Sequence, residues 1–256
     1  HRRIKTHSMN LIAITETDFT SSSQVVLHGR RFEHIKNILK VKNGQKLRVG
    51  LLNGKMGWGE VCKISTSSVN LEVNLQETPP PAAQVDLIMA LPRPKTLPRI
   101  VQSLTSLGVK KVAFINTWKV EKCFWHSDYL SPKALHHAMV LGLEQAIDTR
   151  LPKLEFFRLF KPFVKDQLTE WSQGKSKILC HPQSQQQYEP LISPHCSSAV
   201  LALGPEGGFV DYELEQFIIR GFKTFSLGPG ILKLETAVPA LVTLFANSQL
   251  AKKEIL

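Results

Sequence analysis

Long apolar segments are missing from this sequence of 256 residues. The longest largely apolar stretch, residues 237–246, has ten residues and contains Pro239, whereas a membrane-spanning helix needs about 20. We therefore expect no membrane partner. The basic N-terminus has no apolar segment behind it and is not expected to be a secretory signal. Because His1 is not a natural start residue and Met9 is one, we expect residues 1–8 to be vector-derived.

Cysteine is scarce, and its spacing argues against a metal site. The four cysteines, Cys62, Cys123, Cys180 and Cys196, form no CxxC pair, and no histidine cluster accompanies them. A structural zinc site needs such closely spaced ligands, so none is expected. Isolated thiols in a long chain are typical of a reducing compartment, which leads us to expect a cytoplasmic protein.

Acidic residues are outnumbered, 21 against 32 lysines and arginines, which gives a net charge of +11. The excess is concentrated at residues 28–48, where seven basic residues accompany one acidic residue, whereas residues 196–256 hold five basic and six acidic residues. Basic side chains bind phosphates with release of counterions, so a polyanion partner for the N-terminal part is favoured. The alternative is a solvated helix face. The candidate binding residues are Arg30, Arg31, Lys36, Lys40, Lys42 and Arg48.

Residues 9–76 have the pattern of a small barrel domain. Strands are predicted at residues 11–14, 46–52, 58–64 and 69–75. Asn-Gly turns at residues 43–44 and 53–54 separate some of them and favour tight hairpins. One helix is predicted at residues 31–40, where apolar side chains recur at helical spacing. Residues 77–84 include three consecutive prolines and are predicted to be a stiff linker.

Residues 85–256 have the pattern of an α/β domain. Strands are predicted at residues 85–90, 111–115, 154–157, 177–181, 198–203 and 223–227. Helices are predicted at residues 98–107, 132–144, 163–172, 210–219 and 235–248. Strands that alternate with helices predict a parallel sheet that is covered on both faces.

Two glycine-rich loops each follow a predicted strand of this second domain. They are LALGPEGGF at residues 201–209 and SLGPGILKLETA at residues 226–237. Glycine lets the backbone approach a ligand closely, and ligands of open α/β sheets lie at the carboxyl ends of the strands. Neither loop matches a complete phosphate-binding motif. The surrounding carboxylates favour a cationic ligand; they are Glu206, Asp211, Glu213, Glu215 and Glu235. The alternative is two tight turns without a ligand.

These loops carry a resemblance that extends over nearly the whole chain. The pair LALGPEGGF and LGPGILKLETA, at this spacing, resembles the ribosomal-RNA uridine-N3 methyltransferases of the RsmE type, in the SPOUT (trefoil-knot) superfamily. Four further segments are similar to the same family: HGRRFEHIKNILKVKNGQKLRVG, ALPRPK, SLGVKKV and LGLEQAIDT. The resemblance implies a knotted, parallel-sheet α/β methyltransferase domain preceded by a small PUA-like β-barrel that binds RNA.

The same resemblance implies the ligands and the partners. The cofactor would be S-adenosylmethionine, the substrate ribosomal RNA of the small subunit, and the assembly a homodimer. Carried over residue by residue, the cofactor contacts fall on Leu203, Gly204, Glu206, Gly207, Leu227, Gly228, Ile231, Leu232 and Thr236. The sequence departs from the family pattern at Gly230 and Lys233, where the family usually has arginine. Lysine is a poorer planar clamp than arginine, which bears on turnover and substrate identity rather than on cofactor binding.

Methyl transfer to uracil N3 requires alignment of the nitrogen with the donated methyl group and stabilisation of the negative charge on the ring. Arg93, Lys95 and Lys233 are the candidate cations, and phosphate contact or plain solvation is the alternative for each. The predicted function is methyl transfer to uridine N3 in small-subunit (16S) ribosomal RNA. The alternatives are a knot methyltransferase with a different RNA target and a non-catalytic RNA-binding homologue.

Overall fold

The computed structural model describes residues 11–182, 196 and 198–251; for residues 247–251 it describes the backbone only. The segment predicted to be vector-derived, residues 1–8, lies outside the described residues. The chain forms two compact units. The first holds the residues up to Pro81 together with Val140–Leu151, and the second holds Ala82–Met139 and the residues from Pro152 onward. No helix of the described residues is long and apolar enough to cross a membrane.

The first unit is built on a five-stranded mixed sheet. Its strands are β1 Ile12–Ile14, β2 Gln24–His28, β3 Lys46–Leu51, β4 Met56–Ile64 and β5 Ser68–Glu77, in the order β1-β3-β4-β5-β2. Strand β1 pairs with β3 in parallel, and the other pairs are antiparallel. Inward and outward residues alternate along β4 and β5, as they must when one face of a sheet is buried. Strand β2 was not predicted.

A helix crosses the buried face of this sheet. It begins as α1 Gly29–Glu33 and continues as a π-helical turn, His34–Ile38, so the predicted helix at residues 31–40 starts two residues earlier. Gly29 has φ +57°, a left-handed conformation that favours glycine. Phe32 and Ile35 from this helix are buried among the apolar side chains of the strands. The helix thus closes the core of the first unit.

The segment Val140–Leu151 belongs to the first unit, which differs from the predicted domain boundaries. The backbone N–H of Leu11 donates to the Glu144 carbonyl at 3.0 Å, and that of Asn53 donates to the Thr149 carbonyl at 2.7 Å. A Cβ atom at Gly50 would lie 2.4 Å from the Thr149 methyl group, so only glycine leaves room for this threonine. Tertiary contacts that periodicity does not encode therefore decide where this segment packs.

The predicted linker at residues 77–84 is also shorter in the structure. Glu77 still pairs in β5, and the backbone of Ala83 and Gln84 hydrogen-bonds to residues of the second unit. Residues 78–81, which include the three prolines, belong to the first unit, and the second unit begins at Ala82.

The second unit contains a six-stranded, fully parallel sheet. The strands are β6 Val85–Ala90, β7 Lys111–Ile115, β8 Lys153–Phe157, β9 Ser176–Cys180, β10 Ala199–Leu203 and β11 Lys223–Phe225, in the order β11-β9-β10-β6-β7-β8. All five residues of the central strand β10 are buried. Such a strand is typical of a parallel sheet covered on both faces, so the predicted architecture is confirmed.

Helices cover both faces of this sheet. They are α2 Leu97–Ser106, the part of α3 Pro132–Ala146 that precedes Val140, α4 Phe160–Pro162, α5 Leu168–Ser172, α6 Asp211–Ile218 and α7 Leu234–Ala251. A π-helical turn, Phe163–Gln167, joins α4 and α5, so the predicted helix at residues 163–172 is irregular. Helices α2 and α7 contribute to one apolar core, and α5 and α6 contribute to the other.

Candidate functional site

A cleft lies at the carboxyl ends of β9, β10 and β11, where the two glycine-rich loops come together. The first loop leaves β10 and the second leaves β11, and residues 180–182, which begin at the last residue of β9, form a third wall. The described residues that line it are Cys180, His181, Pro182, Leu203, Gly204, Pro205, Glu206, Gly208, Phe209, Phe225, Ser226, Leu227, Gly230, Ile231, Leu232, Leu234, Ala237 and Leu241. This is the edge at which open α/β sheets bind their ligands.

The first loop folds back tightly on itself. A Cβ atom at Gly204 would lie 3.0 Å from the backbone nitrogen of Phe209, so a side chain there would force the loop open. Gly208 has φ +73°, and its N–H donates to the Pro205 carbonyl at 2.8 Å. Phe209 is buried against Phe217, with ring centroids 5.3 Å apart. The loop is therefore held in one conformation by its own backbone and by the core.

The second loop exposes groups that a ligand could cover. The side chain of Ile231 is 85% exposed and that of Leu232 is 44% exposed, although both belong to the wall of the cleft. Among the described residues, the backbone N–H groups of Ile231 and Leu232 have no hydrogen-bond partner. Gly228 has φ +147°, and its N–H donates to Ser226 Oγ at 3.2 Å, which fixes the preceding turn. Exposed apolar side chains beside unpaired N–H groups are typical of a small-molecule site.

The predicted cofactor contacts divide into two groups. Leu203, Gly204, Glu206, Leu227, Ile231 and Leu232 line the cleft. Gly207, Gly228 and Thr236 are not among the described residues that line the cleft. The Gly207 carbonyl accepts a hydrogen bond from Lys119 Nζ at 2.6 Å, and Thr236 lies in the first turn of α7. The role of all nine as cofactor contacts stays a prediction.

A neighbouring loop is attached to the first glycine-rich loop by the hydrogen bond from Lys119 Nζ to the Gly207 carbonyl. It follows β7 and carries Trp118 and Lys119. The Glu213 carboxylate, only 3% exposed, accepts the Trp118 N–H at 2.7 Å and the Val210 N–H at 3.0 Å. Glu213 therefore fastens the loop of Lys119 to the start of α6. One signal was available in the sequence, because an acidic residue in the first turn of a helix favours N-terminal N–H groups.

The titratable groups on the third wall are shifted toward their neutral forms. Burial, and to a smaller extent the positive charge of Lys119, lowers the pKa of His181 below its ordinary value. Burial raises the pKa of the Cys180 thiol. At neutral pH this wall therefore presents an uncharged imidazole and a protonated thiol, and Glu206 is the exposed carboxylate at the cleft.

The three candidate catalytic cations are exposed, and none of them is among the described residues that line the cleft. Lys95 and Lys233 are exposed side chains. Arg93 is also exposed, and its backbone N–H donates to Glu206 Oε1 at 3.3 Å. The loop that follows β6 is thereby placed beside the first glycine-rich loop. A catalytic role for these residues stays a prediction.

The predicted polyanion-binding arginines are each engaged by a carboxylate. Arg30 forms a two-point ion pair with Glu144 at 2.8 and 2.9 Å. Arg31 pairs with Asp18 in the same way at 2.5 and 2.7 Å, and Arg48 pairs with Glu77 at 2.7 and 2.8 Å. The charge pattern did not indicate this structural role. The exposed lysines of the predicted set are Lys36, Lys40 and Lys42, and Arg30 is also exposed although it is ion-paired.

Comparison with known proteins identifies the family. Residues 78–246 match the model of the RNA methyltransferase domain, which is more than half of the chain. The chain belongs to this family. It is 26% identical over 239 residues to ribosomal RNA small subunit methyltransferase E 1 of Borreliella burgdorferi, covering 93% of this chain and 98% of that protein. It is 25% identical to the Treponema pallidum methyltransferase E, covering 96% and 94% respectively.

Solved structures with the same fold include two that hold S-adenosyl methionine. One is ribosomal RNA small subunit methyltransferase E from Neisseria gonorrhoeae, with a TM-score of 0.72, 17% identity, and coverage of 94% of this chain and 98% of that one. The other is a methyltransferase from Legionella pneumophila, with a TM-score of 0.71, 18% identity, and coverage of 93% and 97%. The likeness confirms the predicted fold class, an α/β methyltransferase domain preceded by a PUA-like domain.

Proposed function

We propose that this protein transfers a methyl group from S-adenosylmethionine to N3 of a uridine in small-subunit (16S) ribosomal RNA. The observation that carries the proposal is the cleft between the two glycine-rich loops, at the carboxyl end of a parallel sheet. The names of similar proteins support the class of substrate, and two solved relatives hold this cofactor. The uridine N3 target rests on the resemblance of the glycine-rich loops.

The residues of the cleft fit such a cofactor. Ile231 and Leu232 offer exposed apolar surface together with unpaired N–H groups, which suits a flat heteroaromatic ring that carries hydrogen-bond acceptors. A Cβ atom at Gly230 would meet nothing within 4 Å, so the chain leaves open space beside them. Glu206 supplies a negative charge at the wall, which favours a ligand with a cationic sulfur.

The cofactor supplies an electrophilic methyl group on a positively charged sulfur. The chain has to orient the uracil ring and offset the negative charge that spreads over O2 and O4 when N3 loses its proton. Lys119 lies beside the first loop because its Nζ contacts the Gly207 carbonyl, and it joins Arg93, Lys95 and Lys233 as a candidate cation. The target base has to leave its stack to reach this site.

The experiment has two parts. Calorimetry with S-adenosylmethionine measures binding, and a radiolabelled methyl assay on unmodified small ribosomal subunits, followed by mass mapping of the product, measures transfer. The proposal requires both binding and a methylated uridine. Binding without transfer would favour a non-catalytic RNA-binding homologue, a methyl group elsewhere would favour a different RNA target, and no binding would contradict all three.

We further propose that the protein is a cytoplasmic homodimer. The resemblance to the SPOUT superfamily supports the dimer, and an rRNA substrate supports the location. Sedimentation equilibrium tests the dimer, and a species at the monomer mass of 28.8 kDa across the micromolar range would contradict it.

A further inference from the structure

The outward face of β3, β4 and β5 in the first unit carries an exposed tryptophan in an ordered polar setting. The strand register places Arg48 opposite Trp58 and Trp58 opposite Asn74. In the next outward row, Lys46 faces Glu60 and Glu60 faces Glu72. Trp58 is 47% exposed, although a side chain of this size on a sheet is normally covered by packing.

The indole of Trp58 is held in place by the ion pair beside it. The Arg48 guanidinium carbon lies 5.0 Å from the centroid of the Trp58 ring, in a cation–π contact. Arg48 is itself fixed by two hydrogen bonds to Glu77, and its side chain is only 16% exposed. The hydrogen bond from Arg48 holds the pKa of Glu77 below its ordinary value, so the pair stays ionised at neutral pH. The ring is therefore presented to solvent in a preset orientation.

Polar side chains around Trp58 supply the groups that read the edge of a nucleobase. A shallow cleft beside the ring is lined by Asn74, Gln76, Glu60, Glu72 and Lys46. Amide side chains donate and accept hydrogen bonds at once, and carboxylates accept them from exocyclic amines, as they do in base recognition. A surface that binds another protein would instead be expected to have several apolar side chains at its centre.

Exposed lysines border this face at one edge. Lys42 and Lys46 are exposed; Lys42 lies on the segment that leads into β3, and Lys46 is the first residue of that strand. Hydrogen bonds of 2.7 Å from the Gly44 N–H to the Val61 carbonyl, and of 2.9 Å from the Val61 N–H to the Gln45 carbonyl, fix that segment to β4. Cations at the rim and an aromatic ring at the centre match a single strand, whose phosphates and bases can be bound separately.

From this arrangement we propose that the outward face of β3, β4 and β5 binds unpaired RNA, with one base stacked on Trp58 and phosphates on Lys42 and Lys46. The inference rests on the proposed function only in taking RNA as the substrate. It changes the expected role of Arg48, which orients the tryptophan instead of contacting phosphate.

The test uses the full chain and a fluorescein-labelled, single-stranded RNA decamer of mixed sequence, with the duplex of the same sequence as comparison. Trp58→Ala is expected to weaken binding of the single strand about tenfold to hundredfold, because stacking on one aromatic ring contributes that much, and to leave the salt dependence unchanged. Trp58→Phe should recover most of the affinity. Tyr129→Ala, which removes an exposed aromatic ring from the second unit, is the matched control.

Two further readouts separate stacking from misfolding. Binding of the decamer should quench tryptophan fluorescence in the wild type and quench it much less in Trp58→Phe. The double variant Lys42→Ala with Lys46→Ala should reduce the slope of log affinity against log salt by about 1.4, the value for two phosphate contacts on a single strand. Equal losses for the single strand and the duplex, or quenching that persists in Trp58→Phe, would overturn the proposal.

The outcome is distinguishable from that of the proposed function. If the wild type methylates ribosomal RNA and Trp58→Ala has an unchanged KM for that RNA, the proposal of an RNA site at Trp58 is wrong, whereas the proposed methyltransferase function is supported. If the decamer binds through Trp58 and no methyl group is transferred, the site stands and the proposed reaction is wrong.

Discussion

The buried carboxylate of Glu213 offers the sharpest structural prediction. It accepts the N–H of Trp118 at 2.7 Å and that of Val210 at 3.0 Å from a position only 3% exposed. In Glu213→Gln the amide oxygen can replace one of these acceptors, whereas the NH2 group faces the other donor. The change therefore removes one charge-assisted hydrogen bond and leaves a partly buried N–H unpaired.

The expected cost follows from these two terms. A hydrogen bond to a charged group contributes about 1.5–3 kcal/mol, and an unsatisfied buried donor costs about 1–3 kcal/mol, with overlap between the two. We expect Glu213→Gln to lower the free energy of unfolding by about 2–4 kcal/mol. Because Lys119 lies on the fastened loop, its contact with the Gly207 carbonyl should loosen as well.

Urea unfolding followed by tryptophan fluorescence measures the stability, and amide hydrogen exchange at Trp118 and Val210 reports the local effect. Glu215→Gln is the matched control, because it replaces a carboxylate by an amide on the same helix at a position that is exposed. If the two variants are equally stable, or if the exchange of the Trp118 amide is unchanged, the proposed role of Glu213 is wrong.

Three further predictions concern other sites. Gly204→Val should abolish most S-adenosylmethionine binding in calorimetry, because its Cβ would lie 3.0 Å from a backbone nitrogen of the returning loop; wild-type affinity would contradict the assigned loop. Burial opposes ionisation of Asp18, but hydrogen bonds from Arg31 and Thr15 outweigh it and lower its pKa below 3.8. Because the folded pKa is depressed, the stability that wild type has over Asp18→Asn should be present above pH 3.8 and be lost as the pH falls through the folded pKa; a difference that stays constant down to acid pH would contradict this. The His181 imidazole should titrate below pH 6.5 by NMR, and Lys119→Met should raise its pKa; an unchanged pKa in this variant would show that the charge of Lys119 does not affect His181.

Much of the second unit could be predicted from local sequence. Apolar runs such as that of β10 are long enough to be buried on both faces, and the loops after β10 and β11 are marked by glycine. Parallel topology then places both loops at the same edge of the sheet, which is why the cleft was predictable without coordinates.

The first unit shows where local pattern fails. Strand β2 has only Val25 and Leu27 buried, and the three serines before it indicate a loop instead. The segment Val140–Leu151 joins this unit through contacts with residues about a hundred positions away, such as Thr149 with Gly54. No periodicity encodes such a contact.

The arginine pairs and the contact of Glu213 with the Lys119 loop were missed for the same reason. Arg30 and Glu144 are 114 positions apart, and Trp118 and Glu213 are 95 apart. Charge counting treats every arginine as a free cation, whereas the fold brings a carboxylate to each of Arg30, Arg31 and Arg48. Composition predicts that a basic segment exists, and only the tertiary structure shows which of its charges remain available.

The most direct test of the central claim is a crystal structure of the protein grown with S-adenosylmethionine. The account predicts electron density for the cofactor between residues 203–209 and residues 226–232, with the backbone N–H groups of Ile231 and Leu232 hydrogen-bonded to it. Cofactor density at any other place on the chain, or a cleft that stays empty at saturating cofactor, would contradict it.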